Sequence, residues 1–197
     1  MKSPFRTYLH ILIIAVMLPA CLAGCRPKQS APRPRGYYRI DFPEKAYREY
    51  QGDCPYRFEY PVYGSVVKDQ DILAEPCWIN IRFPEYNGIL HISYKKVSQN
   101  LSAYLEDSHT LAYKHTVKAD AINETVIAKQ EEGVYGILYD IKGNTATSVQ
   151  FYLTDSTRHF LRGALYFKTR IDKDSLAPVI QFFREDIIHF INTFEWN

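Results

Sequence analysis

The chain has 197 residues and a net charge of +2, and 15% of its residues are aromatic. This length suits one folded domain, and the aromatic side chains can fill a sizeable core. No stretch of the chain is apolar for long enough to read as a membrane-spanning helix. We therefore expect neither a multi-domain machine nor a polytopic membrane protein.

The first 24 residues have the pattern of a secretory signal. Lys2 and Arg6 precede a short apolar run at 8–18, and no acidic residue occurs before Asp41. A basic start, a short apolar run and a small-residue cleavage site are typical of such signals. Without residues 1–24 the chain carries 22 basic and 22 acidic side chains. A neutral, secreted chain argues against a cytosolic enzyme and against a general nucleic-acid binder.

The signal ends in a lipidation site. Residues 22–25 read Leu-Ala-Gly-Cys, which matches the bacterial lipobox. The Cys25 thiol of such a site accepts diacylglycerol, and the freed amine is usually acylated as well. Several acyl chains anchor a protein far more firmly than one, at about 0.8 kcal/mol per buried CH₂. We therefore predict a lipoprotein that is bound to membrane lipid through acylated Cys25.

Residues 25–36 are predicted to be a tether. The segment after Cys25 has three prolines and no large apolar side chain, so we expect an extended chain with a reach of roughly 30 Å. It is read as a solvated spacer, and contact with anionic headgroups or peptidoglycan is the alternative. Residue 26 is Arg, whereas Asp at this place favours inner-membrane retention in enteric bacteria. We predict a periplasm-facing anchor on the outer membrane, with the inner membrane as the alternative.

The remaining region, 37–197, contains two cysteines, Cys54 and Cys77. Two cysteines outside the cytoplasm usually pair, and their spacing fits no zinc or redox motif. We therefore predict a disulfide, which would stabilise the fold by roughly 3 kcal/mol in the chain-entropy model.

The first half of this region predicts strands followed by a helix. Aromatic and charged residues alternate at 56–60, and apolar and polar residues alternate at 78–83, as is typical of half-buried strands. A further strand is predicted at 89–97, and the Asn-Gly pair before it indicates a hairpin. The period then becomes helical, with Asn100 as the predicted N-cap.

The second half predicts a meander and a final helix. Four strands are expected at 121–130, 134–142, 145–154 and 158–169. The short turns between them have Gly, Asn, Asp and Ser, which indicates antiparallel pairing. A helix with an apolar stripe is predicted at 175–194, with Pro178 in its first turn. Its polar face is not rich in lysine, which favours core packing over the rival interpretation as an amphipathic membrane helix.

These elements predict a single α+β domain at 37–197, in which an antiparallel β-sheet is packed by two main helices. Its opening segment, 55–61, and its closing segment, 190–194, resemble the ends of PsbP/Mog1-like domains. That resemblance concerns the fold only.

No catalytic or metal-binding motif is present in the sequence. There is no HExxH, no Gly-x-Ser-x-Gly and no phosphate-binding glycine loop. We therefore predict no catalytic residue, no metal site and no cofactor. Ser156 and Ser175 each follow an Asp and match a short O-glycosylation pattern of Bacteroidetes. Turn and cap chemistry, which uses the same Asp-Ser pair, is the alternative.

Several longer blocks resemble the gliding motility lipoprotein GldD family of Bacteroidetes. They are residues 34–43 (PRGYYRIDFP), 54–61 (CPYRFEYP), 77–81 (CWINI), 153–156 (LTDS), 159–167 (HFLRGALYF) and 174–179 (DSLAPV). The resemblance covers nearly the whole mature chain. It implies an envelope lipoprotein linked to gliding motility and type IX secretion, together with other lipoproteins of that machinery. It carries over no catalytic or ligand-binding residue.

Arg158, His159 and Arg162 lie around a predicted turn and a strand rich in apolar residues. They are read as the solvated edge of a core strand, with a docking surface for partners as the alternative. We predict a non-enzymatic lipoprotein that assembles or stabilises gliding and secretion machinery and binds no nucleic acid. A periplasmic glycan-binding protein or hydrolase is the alternative. A deep pocket with clustered carboxylates or histidines would favour the alternative, whereas an exposed apolar patch would favour the first reading.

Overall fold

A seven-stranded antiparallel sheet is the frame of the fold. The computed structural model describes residues 39–116, 118–143, 145–168 and 173–197, and residues 39–197 form one compact unit. The strands are β1 (Tyr47–Glu49), β2 (Tyr56–Arg57), β3 (Glu59–Pro61), β4 (Ser65–Lys68), β5 (Ile79–Phe83), β6 (Gly88–Lys96), β7 (Ala119–Lys129), β8 (Val134–Gly143), β9 (Thr147–Thr154), β10 (His159–Phe167) and β11 (Glu195–Trp196). The helices are α1 (Leu101–Tyr113) and α2 (Lys173–Thr193).

The large sheet has the strand order β4-β5-β6-β10-β9-β8-β7. Every pair of neighbours is antiparallel. Two further pairs, β1 with β3 and β2 with β11, stand outside it. The prediction of an α+β domain with an antiparallel sheet and two helices is confirmed, as is the meander of β7 to β10. The predicted bounds of those four strands differ from the observed ones by at most two residues.

The inner face of the sheet carries the main core. We define this face by Leu161 and Leu165 of β10, which are fully buried together with Phe183 and Phe190 of α2. Side chains alternate along a strand, so every second residue of β10 reaches this core. Gly163 lies between the two leucines, and a Cβ there would come within 2.3 Å of the Phe151 ring. The close approach of that ring therefore requires glycine.

The opposite, outer face is only partly covered. Ala112 of helix α1 packs there in a small cluster with Tyr139 and Ile141 of β8. Burial raises the pKa of Tyr139 to about 12. Since α1 has 13 residues, its length is about 20 Å. Among the described residues, His91 of β6 is exposed on this face, so α1 does not cover that part of the strand.

The strand expected at 56–60 is divided in the structure. Residues 56 and 57 pair with β11, whereas residues 59 to 61 pair with β1. Phe58 separates the two strands and is buried. The alternation at 56–60 correctly predicts strand residues, but their pairing partners lie far away along the chain, and a local pattern does not identify them. The strands β1, β4 and β11 were not predicted.

The helices differ in detail from the prediction. Asn100 precedes α1, but its side chain makes no capping bond to the helix. Its Oδ1 instead accepts from the Ser98 N–H, at 2.8 Å. Helix α2 begins at Lys173, so Pro178 lies inside the helix rather than in its first turn. Because proline has no N–H, one intrahelical bond is lost at that point.

Cys54 and Cys77 are joined by a disulfide in the structure, with a Cα–Cα distance of 5.6 Å. It links the start of the β2 segment to the end of the loop between β4 and β5. The predicted signal at 1–24, the lipidation site at Cys25 and the tether at 25–36 lie outside the described residues. Within the part of the chain that is described, no helix is long and apolar enough to cross a membrane.

Candidate functional site

An open groove lies on the outer face of the large sheet, beside α1. Its floor is formed by β6 and β10, one wall by α1 and the other by the β4–β5 loop. Its volume is about 450 Å³. His91 and Ser93 of β6 and Arg162 and Tyr166 of β10 belong to the floor. We call this feature the outer-face groove.

The walls of the outer-face groove are aromatic. Trp78 stands at the end of the β4–β5 loop, and its indole N–H donates to the Tyr94 carbonyl oxygen at 2.7 Å. The Nζ of Lys95 lies 5.2 Å from the centre of the Trp78 ring. On α1, Tyr104 packs against Phe160, with ring centres 5.4 Å apart. These contacts fix the rings, so the groove is formed before any ligand arrives.

Charged side chains of both signs line the groove. Asp69, Lys95 and Asp107 stand in its walls and floor, together with Arg162. Nη2 of Arg162 donates to Oε1 of Gln150, which is itself buried. Among the described residues, no carboxylate lies within ion-pair distance of the Arg162 guanidinium. Burial lowers the pKa of Arg162, and an acidic group of a bound ligand would relieve that cost by a charge-assisted hydrogen bond.

The groove also contains a hydroxyl and an imidazole, but they do not form a catalytic pair. The Ser93 hydroxyl is directed at the Arg162 carbonyl oxygen, at 3.5 Å. The His91 ring packs edge-on against Tyr166, with ring centres 5.4 Å apart. A nucleophile and its base need a hydrogen bond to each other, and the structure shows none between Ser93 and His91.

The structure does not bring Arg158, His159 and Arg162 into one surface. Arg158 is exposed in the β9–β10 turn. His159 stacks on Trp196, with ring centres 5.2 Å apart, and its Nδ1 is bonded to the Tyr94 hydroxyl at 2.7 Å. Arg162, three residues further along β10, points to the outer face because side chains alternate along a strand. The predicted patch thus separates into an exposed turn, a packing residue and a groove residue.

Ser156 lies at the exposed tip of the β9–β10 hairpin. It has a positive φ of 67°, and its N–H donates to the Thr154 hydroxyl oxygen at 2.9 Å. Oδ1 of Asp155 accepts the N–H groups of the three residues after Ser156. The Asp-Ser pair therefore serves turn chemistry here. O-glycosylation of Ser156 remains a prediction, and the side chain of Ser175 lies outside the described residues.

A buried carboxylate, which the sequence analysis missed, joins the N-terminal segment to α2. Asp186 is 4% exposed. Its Oδ1 accepts from Lys45 Nζ at 2.7 Å and from the Tyr47 hydroxyl at 3.0 Å, and its Oδ2 accepts from the Tyr63 hydroxyl at 2.6 Å. Burial and the bond to Asp186 raise the pKa of both tyrosines. We call these four side chains the Asp186 cluster.

The Asp186 cluster is structural in character. Both carboxylate oxygens accept hydrogen bonds from side chains of this cluster. Lys45 Nζ also donates to the Phe182 carbonyl oxygen at 2.7 Å. One feature of the sequence indicates this cluster. Asp186 follows Phe183 by three residues and Phe182 by four, so it lies on the apolar stripe of α2. A carboxylate on that stripe has to find partners.

A second groove, of about 560 Å³, lies between β8 and α2. Asp140 and Arg184 in its lining neutralise each other through two hydrogen bonds of 2.6 and 2.8 Å. Across the described residues, no three His, Cys, Asp or Glu side chains are grouped so that they could hold a metal ion. Arg162 of the outer-face groove has no such carboxylate partner among the residues that the structure describes, so the outer-face groove is the better candidate site.

The family model described as gliding motility lipoprotein GldD matches residues 27–196. The chain belongs to this family. Membership makes the chain an envelope lipoprotein related to gliding motility, as the sequence blocks implied. The family is not known as a family of enzymes. No curated protein matches the chain.

Among solved structures, the chain is similar to the solution structure of cyanobacterial PsbP (CyanoP) from Synechocystis sp. PCC 6803. The TM-score is 0.49 and the sequence identity is 12%, over 81% of this chain and 98% of that chain. This similarity concerns the fold alone. The resemblance of segments 55–61 and 190–194 to PsbP/Mog1-like domains is limited to the fold in the same way.

Proposed function

We propose that this GldD-family chain is a non-enzymatic lipoprotein that assembles or stabilises the gliding motility and type IX secretion machinery. In this proposal it acts by binding other envelope lipoproteins of that machinery. The observation that carries the proposal is the family match over residues 27–196. The outer-face groove supplies a place for a partner segment, since it joins preformed aromatic walls to Arg162, which has no carboxylate partner in the described part of the chain.

The proposal includes a membrane anchor at Cys25. The lipobox at residues 22–25 supports acylation there. Residues 25–36 then act as a tether that holds the domain at the periplasmic surface of the outer membrane. Replacing Cys25 by Ser is expected to abolish incorporation of labelled palmitate and to release the chain from membranes. Density separation of the two membranes would test the outer-membrane assignment, and recovery in the inner-membrane fraction would contradict it.

The test of the assembly role is affinity purification of the full lipoprotein from crosslinked envelopes, read by mass spectrometry. We expect enrichment of gliding or type IX secretion components. A groove variant, Leu111→Lys, should lower that enrichment because Leu111 is 42% exposed and lines the groove. Thr110→Lys is the matched control, since Thr110 is the exposed neighbouring residue on α1 and is not part of the groove.

Charge reversal at Arg158 and Arg162 together is not a clean test of docking. Arg162 is largely buried and bonded to Gln150, so Arg162→Glu would damage the fold as well. Arg158→Glu alone changes an exposed turn. If Arg158 contributes to docking, this variant should reduce the enrichment and leave the thermal stability unchanged.

One observation favours keeping the glycan-binding or hydrolase alternative. Trp78, Tyr104 and Tyr166 share the groove with Asp107 and Arg162, and aromatic rings beside polar groups also suit a sugar. Peptidoglycan fragments added to the full chain would decide between the two. The glycan-binding alternative would be favoured by two results together. Peptidoglycan fragments would bind saturably to the unaltered chain and not to Leu111→Lys, and the envelope purification would enrich no machinery components.

A further inference from the structure

The loop between β4 and β5, residues 69–78, exposes two adjacent aliphatic side chains at its tip. Ile72 is 97% exposed and Leu73 is 77% exposed. A pair of large apolar side chains in water gains nothing for the fold, because neither side chain buries its surface. A contiguous exposed pair of this kind is a feature of interaction sites.

Hydrogen bonds hold the loop in one shape. Oδ1 of Asp69 accepts the Asp71 N–H, and Oδ1 of Asp71 accepts the Leu73 N–H, both at 2.9 Å. The Ala74 N–H donates to the Asp71 carbonyl oxygen at 3.0 Å, and the Asp69 N–H donates to the Trp78 carbonyl oxygen at 3.0 Å, which closes the base. A loop that is ordered in this way loses little conformational entropy when it binds.

Two covalent or ionic contacts add to this bracing. The disulfide at Cys77 ties the end of the loop to Cys54, and Glu75 forms an ion pair with Lys95 of β6. The loop is also one wall of the outer-face groove, through Asp69 and Trp78. The two exposed aliphatic side chains therefore stand on a rigid edge beside that groove.

The charges around the tip decide what kind of surface it fits. Three acidic residues, Asp69, Asp71 and Glu75, flank Ile72 and Leu73 along the chain. Lys95 neutralises Glu75, whereas Asp69 and Asp71 have no Lys or Arg within ion-pair distance among the described residues. An anionic bilayer surface would repel these two carboxylates. A protein pocket with basic groups at its rim would attract them.

We propose that the 69–78 loop is a docking protrusion that inserts Ile72 and Leu73 into an apolar pocket of a partner protein whose rim carries Lys or Arg facing Asp69 and Asp71. The inference rests on the proposed assembly function and names the contact that such a role would use. The apolar pair supplies the binding energy at the centre of the contact, and the carboxylates set its orientation and salt dependence.

Site-specific photocrosslinking of the full lipoprotein in living cells tests the proposal. A benzophenone amino acid is placed at position 72, and at position 126 as the control, because Val126 is 76% exposed on β7. We expect an adduct at position 72 with one protein, through a peptide that combines apolar residues with flanking Lys or Arg. An adduct with acyl chains, with a second copy of this chain, or with a peptide lacking basic residues would overturn the proposal.

Substitutions give the matching quantitative test in the envelope purification. Ile72→Ser with Leu73→Ser is expected to lower recovery of the crosslinked partner at least tenfold, whereas Val126→Ser leaves it unchanged. Asp69→Asn with Asp71→Asn keeps the turn, since the amide oxygen of Asn accepts the same hydrogen bonds. We expect this pair to lower recovery at low salt and to remove its salt dependence.

The outcomes separate the two proposals. If the unaltered chain enriches machinery components and the Ile72 and Leu73 variant enriches them equally, the loop proposal is wrong and the assembly function stands. If the unaltered chain enriches no component, both are wrong. Thermal melting of the variants inside cells checks that the fold persists, and position 72 tolerates substitution because its side chain contacts solvent.

Discussion

The Asp186 cluster gives the sharpest prediction about stability. Replacing Asp186 by Asn keeps the size of the side chain but removes its charge and one of its two acceptor oxygens. Hydrogen bonds to charged groups contribute about 1.5–3 kcal/mol each, and removing one member of a buried ion pair costs about 3–5 kcal/mol. The Lys45 side chain keeps 26% of its exposure, so water relieves part of the cost. We expect Asp186→Asn to lower the free energy of unfolding by about 2–3 kcal/mol.

Urea unfolding of a form that begins at residue 26, followed by tryptophan fluorescence, measures this loss. The dependence of the unfolding free energy on urea should keep its slope, since the surface exposed on unfolding does not change. Glu185→Gln is the matched control, because Glu185 neighbours Asp186 on α2 and is exposed. That control should stay within about 0.5 kcal/mol of the unaltered chain. Equal midpoints for the two variants would refute the role assigned to the cluster.

Three other predictions follow from the described contacts. Replacing Cys54 and Cys77 by Ser opens a loop with a sequence separation of 23, and the chain-entropy model gives a loss of about 3.4 kcal/mol, which a lower urea midpoint would show. Gly163→Ala puts a methyl group within 2.3 Å of the Phe151 ring, so we expect a loss of about 1–3 kcal/mol, measured in the same way. Burial lowers the pKa of His159 below its usual 6.5. Below pH 6.5 the unfolded chain therefore binds more protons at His159 than the folded chain does. The contribution of neutral His159 to the free energy of unfolding is complete above pH 6.5 and is lost as the pH falls through the pKa of His159 in the folded chain. His159→Gln should flatten the fall in stability between pH 7 and pH 5, and an unchanged slope would contradict this cause.

The sequence predicted the local elements well because the pattern of each is local. The turn residues between 134–142 and 145–154 indicate paired antiparallel strands whatever the rest of the chain does. The helical stripe after Asn100 is of the same kind. The region at 56–60 shows the limit, since its alternation was correct but it divides between two partners that lie elsewhere in the sequence.

The candidate site was predicted only in part. The sequence singled out Arg158, His159 and Arg162, and one of them, Arg162, lies in the outer-face groove. Alternation along a strand already separates His159 from Arg162. One face of the large sheet is covered by α2, and the other is left partly open beside α1. This difference depends on packing between elements that are distant along the chain. The exposure of Ile72 and Leu73 likewise appears only in the structure.

The sequence by itself determined the family, the antiparallel α+β character, the lipobox and the two cysteines available for pairing. These follow from residue types and short-range periodicity, which the chain carries wherever it folds. Only the tertiary structure decided that Asp186 meets Lys45, Tyr47 and Tyr63. It also decided that Arg162 lies in the outer-face groove with no carboxylate partner among the described residues, and that the 69–78 loop presents aliphatic side chains to solvent. Each of these depends on the burial of a side chain by residues far away along the chain, and burial is a property of the packed fold.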